Sequence, residues 1–388
     1  MMLVVSPRTR TILVWVLFAL GTLVLFVGSL AVWVKRQALD TDAWVETSAN
    51  LLENDEVRGA LSVYIVDQLY ANADPQAVLE ERLPDNLQGL AGPIAGALRQ
   101  PAVEGVDRFL QRPRVQALWQ DVNRVAHQEL LAVLNDETRG NITTGSGTVT
   151  LNLRTLVVNI GTELGFGEEL DARLPENAGQ IVLLQSDQLE AAQTGVKAIK
   201  WMSWLVVLIA LACYTGAVWL ASGRRGMLRN VGAALLVVGI LLLVIRRVVG
   251  NYIVDALVSG ESVRGAVDST WLIGTSLLSE VAWALIVYGL VILLGTWLAG
   301  PSRYAVRARG WMGPTLRDRP GLAWGALGVV YLLLVLWGPV PALRSWVGVL
   351  VLGALVALGF EAFRRVTVGE LGPGQASPPP SPPPAPAA

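Results

Sequence analysis

A tryptophan, an asparagine and a histidine recur at four-residue intervals in one segment of the chain. Trp119, Asn123 and His127 would share one face of a helix, with Arg124 beside them. His127 is the single histidine of the chain. Imidazole titrates near neutral pH, so His127 is the natural candidate for acid–base catalysis or pH sensing. The competing interpretation, which we favour, is a hydrogen-bonded polar cluster in a protein core, because buried polar groups are normally paired.

A second set of reactive side chains lies in apolar segments. Glu280 lies inside one such segment, and Arg246 and Arg247 lie near the end of the preceding one. We count the depth of each residue from the cytoplasmic end of its predicted span, which is near Arg229 for Arg246 and near Leu298 for Glu280. At about 1.5 Å per residue, Arg246 lies about 25 Å and Glu280 about 27 Å from those ends. Ionised groups at membrane depth usually face a partner, so the matched depths predict an ion pair. The alternative is that each side chain extends independently to the nearby interface.

Other catalytic and ligand-binding signatures are absent from the sequence. One cysteine, Cys213, and one histidine leave no zinc site of the usual Cys/His kinds and no internal disulfide. Nucleophile elbows, phosphate loops and HExxH motifs do not occur. The acidic clusters Asp136-Glu137 and 168–171 lack the spacing of a calcium loop. We therefore expect no enzyme activity, no metal and no cofactor.

The composition places these residues in a membrane protein. Of 388 residues, 53% are apolar and 16% are charged, against about 25% charged in a soluble protein. Six stretches approach the roughly 20 apolar residues that cross a bilayer. The predicted spans are 11–34, 199–221, 230–250, 271–299, 321–340 and 345–363. The first span is too long for a cleaved signal peptide, which indicates a signal anchor.

Basic residues in the short loops set the predicted orientation. Twelve arginines fall on one side if residues 1–10 and the tail, 366–388, are cytoplasmic, as the positive-inside rule requires. Six basic residues fall on the other side: Lys35, Arg36, Lys197, Lys200, Arg264 and Arg344. We predict a multi-pass protein of the inner (plasma) membrane whose Pro-rich tail is disordered.

Residues 35–198 form a predicted extracytoplasmic domain of different composition. Residues 37–196 hold 24 acidic residues against 10 arginines, a net charge of −14. That charge argues against binding nucleic acid or anionic lipid, and it could attract a cation or a basic partner. The alternative, which we favour, is that these charges only solvate the surfaces of helices. The fourfold repeat of Val57, Leu61, Ile65 and Leu69 predicts a helix with one apolar face.

The last part of this domain has the sequence pattern of strands rather than helices. Thr/Val alternation around the Gly-Ser-Gly of 145–147 predicts a small β-hairpin, and 180–184 predicts a short strand. A continuous helix is then predicted from Gln188 through the second span. Glycines at 321, 325 and 328 and at 348, 353 and 359 predict close packing of spans five and six.

Short motifs in residues 40–200 resemble a known group of proteins. The motifs are 44–48 with Leu51-Leu52, Leu83-Pro84 with 90–93, the block 119–127, the strand 147–153 and the helix start 186–189. They are similar to those of polytopic integral membrane proteins of actinobacteria and related high-GC bacteria, a group with no assigned activity. The resemblance implies an architecture and no chemistry.

The predicted fold is a mainly α membrane protein with six transmembrane helices. Its acidic, helix-rich extracytoplasmic domain carries a small β-hairpin and strand. The leading functional hypothesis is a non-enzymatic cell-envelope protein in the lipid bilayer, whose outer domain contacts an envelope partner or forms a homo-oligomer. The first alternative is a transporter or channel subunit built on spans two to six, which predicts polar groups along a pathway. The second is a membrane hydrolase, which predicts convergent titratable groups.

Overall fold

The computed structural model describes residues 6–135, 142–145, 148–152, 180–258, 261–304, 306–307, 310, 317–337, 343 and 346–370. Its helices are α1 (Pro7–Leu39), α2 (Thr41–Glu53), α3 (Asp55–Ala73), α4 (Pro75–Arg82), α5 (Ala91–Leu110), α6 (Pro113–Leu134), α7 (Ser186–Leu220), α8 (Arg224–Leu257), α9 (Glu261–Gly274), α10 (Ser276–Leu298), α11 (Pro320–Trp337) and α12 (Trp346–Glu370). A short 3-10 turn, Gln88–Leu90, precedes α5. The acidic clusters of 136–137 and 168–171, Arg344 and the tail beyond residue 370 lie outside the described residues.

Five helices in the described ranges are long and apolar enough to cross a membrane. They are α1, α7 from Ala191, α8, α10 and α12 as far as Thr367. A sixth apolar helix, α11, is shorter, with its apolar part at Pro320–Leu336. The protein is thus mainly helical and fits a multi-pass membrane protein, as its composition predicts.

Two predicted boundaries differ from the structure. The region around residues 250–270, predicted as a short loop, contains the last turns of α8 and all but the end of α9. A lone glycine at Gly250 does not break α8, and a Cβ there would lie 2.3 Å from Nε1 of Trp271. The glycine therefore admits the indole of α9 against α8. The next predicted span begins at Ser276 rather than 271, because α9 and α10 are separate helices.

The chain divides into two compact units. The first comprises Met1–Val27, Val207–Leu243 and Ser279–Ala388, and the second comprises Gly28–Val206 and Val244–Leu278. Helices α1, α7, α8 and α10 contribute residues to both. The continuous helix predicted through the second span is α7.

Glycines bring the helices of the first unit together, and one of the predicted glycines takes part, because a Cβ at Gly353 of α12 would lie 3.2 Å from the hydroxyl of Tyr331 of α11. A Cβ at Gly321, Gly325 or Gly328 would meet no described atom within 4 Å, so these glycines form no seam. Helices α11 and α12 meet instead through Trp324, edge-on to Phe360 with ring centroids 4.8 Å apart. Tyr331 also donates a hydrogen bond to the carbonyl oxygen of Val349. The contact therefore involves Gly353 of α12 and aromatic side chains, whereas the predicted glycines of α11 take no part in it.

The second unit contains α2 to α6, α9 and the strands. Helix α2 packs against α6, and α3 packs against both α5 and α9. Side chains cap three of these helices: Asp40 accepts from two amides of α2, Asn54 does the same for α3, and Asp74 accepts from Ala77 N. Pro75 begins α4, which confirms the cap and proline start that this pair of residues predicts.

Three strands follow these helices in the chain. They are β1 (Ile142–Gly145), β2 (Thr148–Asn152) and β3 (Gln180–Gln185), in the order β1-β2-β3 with both pairs antiparallel. Gly145 pairs with Thr148, and Thr148 also lies opposite Gln185.

The buried face of α3 is not the predicted one. Arg58, Ser62 and Val66 are buried, whereas Ile65 is exposed and Leu69 is 54% exposed. The reason is electrostatic, because Arg58 donates to Asp107 of α5 and holds its own face of α3 against that helix. The predicted apolar stripe is therefore turned partly to the outside.

Candidate functional site

Helix α6 presents its polar residues to α2. The indole Nε1 of Trp119 donates to the carbonyl oxygen of Ser48 at 3.0 Å. The amide of Asn123 donates to the carbonyl oxygen of Trp119 at 2.8 Å, within its own helix. Arg124 donates to the carboxylate of Asp42 at 2.6 Å, on the exposed rim. Trp119, His127 and Arg124 thus each contact a neighbouring element, while Asn123 stays within α6.

His127 is the most buried member of this group, at 3% exposure. Its ring stacks on Trp44 with centroids 5.0 Å apart and an angle of 18° between the planes. Nε2 lies 3.3 Å from the carbonyl oxygen of Ala38, and Nδ1 lies 3.1 Å from Oγ1 of Thr41. A carbonyl oxygen only accepts, so we place the proton on Nε2 and let the Thr41 hydroxyl donate to Nδ1.

In this arrangement neither ring nitrogen of His127 is free to contact a substrate. Both ring nitrogens have protein partners, and one ring face is covered by Trp44. A general base must reach the proton that it abstracts within hydrogen-bond distance. The geometry therefore supports a structural cluster that fixes α6 against α2 and the end of α1.

Burial lowers the pKa of His127, and this outweighs the hydrogen bond from Nε2 to Ala38 and the negative charge of Asp40, which both raise it. The folded protein consequently favours the neutral ring. In the unfolded chain the ring takes up its proton at a higher pH, near the ordinary pKa of about 6.5.

We expect His127 to make folding stability fall as the pH drops below about 6.5. The contribution is fully present above the unfolded pKa and is lost toward the lower folded pKa, because only the unfolded chain binds the proton in that interval. Thermal unfolding of the full chain at several pH values between neutral and mildly acidic measures the effect. His127→Gln should lose less stability than the wild type over this interval, and an identical loss in both proteins would contradict the assignment.

The arginines near the end of α8 have different environments. Nε of Arg246 donates to Oγ1 of Thr275 at 2.7 Å, and its Nη2 donates to the carbonyl oxygen of Leu272 at 2.8 Å. The indole of Trp271 donates in return to the carbonyl oxygen of Arg246 at 3.0 Å. Arg247 is exposed, and Glu280 is half-buried and has an interaction of its own. The Arg–Glu pair stays a prediction.

The sequence reading missed a buried arginine. The side chain of Arg58 is 8% exposed, and it donates to Asp107 at 2.8 Å and to Asp55 at 2.5 Å. It also donates to the carbonyl oxygen of Glu53 at 3.0 Å, at the end of α2. Only the Asp55–Arg58 spacing is visible in the sequence, because Asp107 lies on another helix.

An apolar cavity in the second unit was also missed. Its volume is about 570 Å³, within the range of about 300–1,000 Å³ that small-molecule sites occupy. Its walls include Trp33 of α1, Val57 of α3, Ile253 and Leu257 of α8, and Val267 and Trp271 of α9. These residues are far apart in the sequence, so no local motif marks the cavity.

The remaining site chemistry is sparse. In the part of the chain that the structure describes, no group of three or more histidine, cysteine, aspartate or glutamate side chains is arranged to hold a metal ion. No protein-family model, no curated protein and no solved structure matches the chain.

Proposed function

We propose that this chain is a non-enzymatic, multi-pass protein of the bacterial inner membrane whose extracytoplasmic domain docks an envelope protein. In this proposal α11 is the sixth span, α1 is an uncleaved anchor, and both termini are cytoplasmic. Residues 35–198 are then extracytoplasmic, with β1 and β2 as a hairpin. The distribution of arginine in the short loops supports this orientation.

The exposed apolar face of α3 carries the docking proposal. Leu69 is 54% exposed, and Ile65, one turn before it on the same side of the helix, is also exposed. Two turns earlier on the same stripe, Val57 lines the cavity beside α9. The stripe is therefore covered at one end and open at the other, and contiguous exposed apolar surface often marks an interaction site.

Charge selects the kind of partner. Residues 37–196 have a net charge of −14, so a second copy would bring the same negative charge to the contact. Like-charge contacts cost energy, whereas complementary charge speeds association and favours the correct partner. We therefore infer a different protein, with an apolar patch surrounded by lysine or arginine.

The contacts of the His127 ring with other protein groups support a non-enzymatic role. Its ring nitrogens are engaged by Thr41 and Ala38, and no second titratable side chain is hydrogen-bonded to the ring among the described contacts. A hydrolase needs a nucleophile and a base within reach of each other.

A photo-crosslinking amino acid at Leu69 of the full chain tests the docking face in native membranes. We expect one adduct, to a protein whose crosslinked peptide is rich in lysine or arginine, and we expect its yield to fall in Ile65→Asp and at high salt. The matched control is the same probe at Gln128, an exposed position on α6. An adduct between two copies of this chain, or an adduct that Ile65→Asp leaves unchanged, would refute the proposal.

A further inference from the structure

We propose that the apolar cavity of the second unit binds an acyl chain of an anionic phospholipid, whose phosphate is held by basic residues next to the apolar runs of α1, α7 and α8. This inference rests on the membrane placement in the proposed function. It adds a ligand class and a site that are independent of the α3 docking face.

The walls of the cavity come from helices that reach the bilayer. Trp33 lies on α1, and Ile253 and Leu257 lie on α8, both of which are candidate spans. Helices α3 and α9 close the other sides with further apolar side chains, among them Val57 and Val267. An acyl chain that leaves the bilayer along α1 stays in contact with apolar surface on this route, because the apolar run of α1 reaches Trp33. Each CH₂ group that the cavity buries favours binding.

The length of α8 places the cavity beyond the hydrocarbon. Its 34 residues span about 51 Å at about 1.5 Å per residue, whereas the hydrocarbon core is about 30 Å thick. The apolar run of α8 ends at Arg246 and Arg247, and the cavity residues Ile253 and Leu257 follow one to three turns later. The cavity therefore lies at or above the headgroups, where an apolar surface needs an apolar occupant.

Basic residues flank the apolar runs of three helices within the second unit. All three lysines of the chain, Lys35, Lys197 and Lys200, flank the apolar runs of α1 and α7 on the side of the second unit, together with Arg36. These four residues oppose the positive-inside rule, and Arg246 and Arg247 add positive charge near the end of the third predicted span. Basic residues close to the membrane surface attract anionic lipid. These basic residues supply the positive charge that attracts an anionic headgroup, whereas the excess of acidic residues in 37–196 repels one.

Arg246 connects the basic cluster to the cavity. Its guanidinium donates to the hydroxyl of Thr275, and Thr275 and its neighbour Trp271 both line the cavity. Lys200 likewise donates to a neutral group, the side-chain oxygen of Asn135, at 2.6 Å. The hydrogen-bond partners of Arg246 and Lys200 are neutral, and the carboxylate of Asp268 lies near Arg246 and attracts it. A phosphate therefore competes with Asp268 for Arg246.

An unpaired donor lies in the same wall. The indole Nε1 of Trp33 is buried, and it has no hydrogen-bond partner among the described residues. A buried donor without an acceptor destabilises the fold. The glycerol ester oxygens of a phospholipid are acceptors located between its chains and its phosphate, and one of them would satisfy this N–H.

Native mass spectrometry of the full chain, reconstituted with phosphatidylglycerol or with phosphatidylcholine of the same chains, tests the site. We expect the wild type to retain phosphatidylglycerol. Ala266→Trp fills the cavity from α9 and should reduce retention at least about tenfold, equivalent to about 1.4 kcal/mol. The matched control is Ala97→Trp, at an exposed position on α5, which should retain the lipid.

The headgroup contacts are tested in the same way. Arg246→Gln combined with Arg247→Gln should lower retention of phosphatidylglycerol to the level of phosphatidylcholine. Arg264→Gln, an exposed arginine of α9 that pairs with Asp255 at 2.7 Å, should leave the preference intact. Free palmitate tests the other source of an acyl chain, and it should be retained less well than phosphatidylglycerol.

Three results would overturn the inference. They are unchanged lipid retention in folded Ala266→Trp, equal retention of the two phospholipids by the wild type, and palmitate retained as well as phosphatidylglycerol. If Ala266→Trp does not fold, Ala60→Phe fills the cavity from α3 and decides the question. A separate labelling control, in a Cys213→Ala background, separates this site from the proposed orientation. Asn72→Cys should react with an impermeant maleimide on spheroplasts and Gly310→Cys should not, whatever lipid is retained.

Discussion

Replacement of Gly239 with alanine should destabilise the packing of α8 on α10 by about 1–3 kcal/mol, the usual cost of overpacking. The added Cβ would lie 2.7 Å from the carbonyl oxygen of Ala282 and 3.1 Å from the amide nitrogen of Ile286. Both atoms belong to the main chain of α10, so they cannot rotate away as a side chain can. One of the two helices has to shift.

The backbones of α8 and α10 also approach closely at a glycine of α10. A Cβ at Gly289 of α10 would lie 2.7 Å from the carbonyl oxygen of Gly232 and 2.8 Å from the amide nitrogen of Leu236, both in α8. Close backbone approach at small residues is how membrane helices gain packing energy, since lipid removes the hydrophobic advantage of association. Gly289→Ala should therefore cost as much as Gly239→Ala.

Gly325 of α11 is the matched control. A Cβ there meets no described atom within 4 Å, so only helix propensity changes, and alanine is favoured over glycine by about 1 kcal/mol at most. Thermal unfolding of the purified full chain should show a lower midpoint for Gly239→Ala and an unchanged or higher one for Gly325→Ala. Equal midpoints for the two variants would show that α8 and α10 do not cross at these glycines.

Replacement of Arg58 with alanine should cost about 1.5–3 kcal/mol, the range for hydrogen bonds to charged groups, because water can reach the carboxylates of Asp107 and Asp55, which are 29% and 91% exposed. The guanidinium joins α3 to Asp107 of α5 and also binds the carbonyl oxygen of Glu53 at the end of α2. Burial lowers the pKa of Arg58, but hydrogen bonds and the charges of Asp55 and Asp107 raise it further, so the net direction is upward. The side chain therefore stays charged in the folded protein.

A second arginine–aspartate pair between the same two helices provides the control. Arg99 of α5 pairs with Asp67 of α3, and the two side chains are 45% and 47% exposed. Exposed pairs contribute about 0–1 kcal/mol, so Arg99→Ala should have little effect on the unfolding midpoint. Similar losses in Arg58→Ala and Arg99→Ala would mean that burial does not decide the strength of these pairs.

Arg58→Lys tests the geometry of the buried pair. Arginine has five N–H donors in a planar fork, whereas lysine has one ammonium group that cannot reach Asp107, Asp55 and the α2 carbonyl together. The lysine variant should recover only part of the lost stability.

Local patterns in the sequence determined a large part of this protein. The long apolar helices follow from composition and length, and the cap at Asp74 with Pro75 follows from the chemistry of two adjacent residues. The shared face of Trp119 and His127 follows from their spacing along α6. Each of these features depends on residues within a few positions of one another, where the geometry of the helix fixes the relation.

Tertiary structure alone decided which faces are buried and what the polar groups bind. Periodicity marked Ile65 and Leu69 as the core face of α3, but the contact of Arg58 with Asp107 buried another face instead. The partners of His127 lie 86 and 89 residues away in the sequence, at Thr41 and Ala38. The cavity likewise gathers walls from α1, α3, α8 and α9. A sequence specifies the chemistry of each face, but the neighbour that covers a face is set by the packing of all the helices together, because burial is a property of contacts between distant segments.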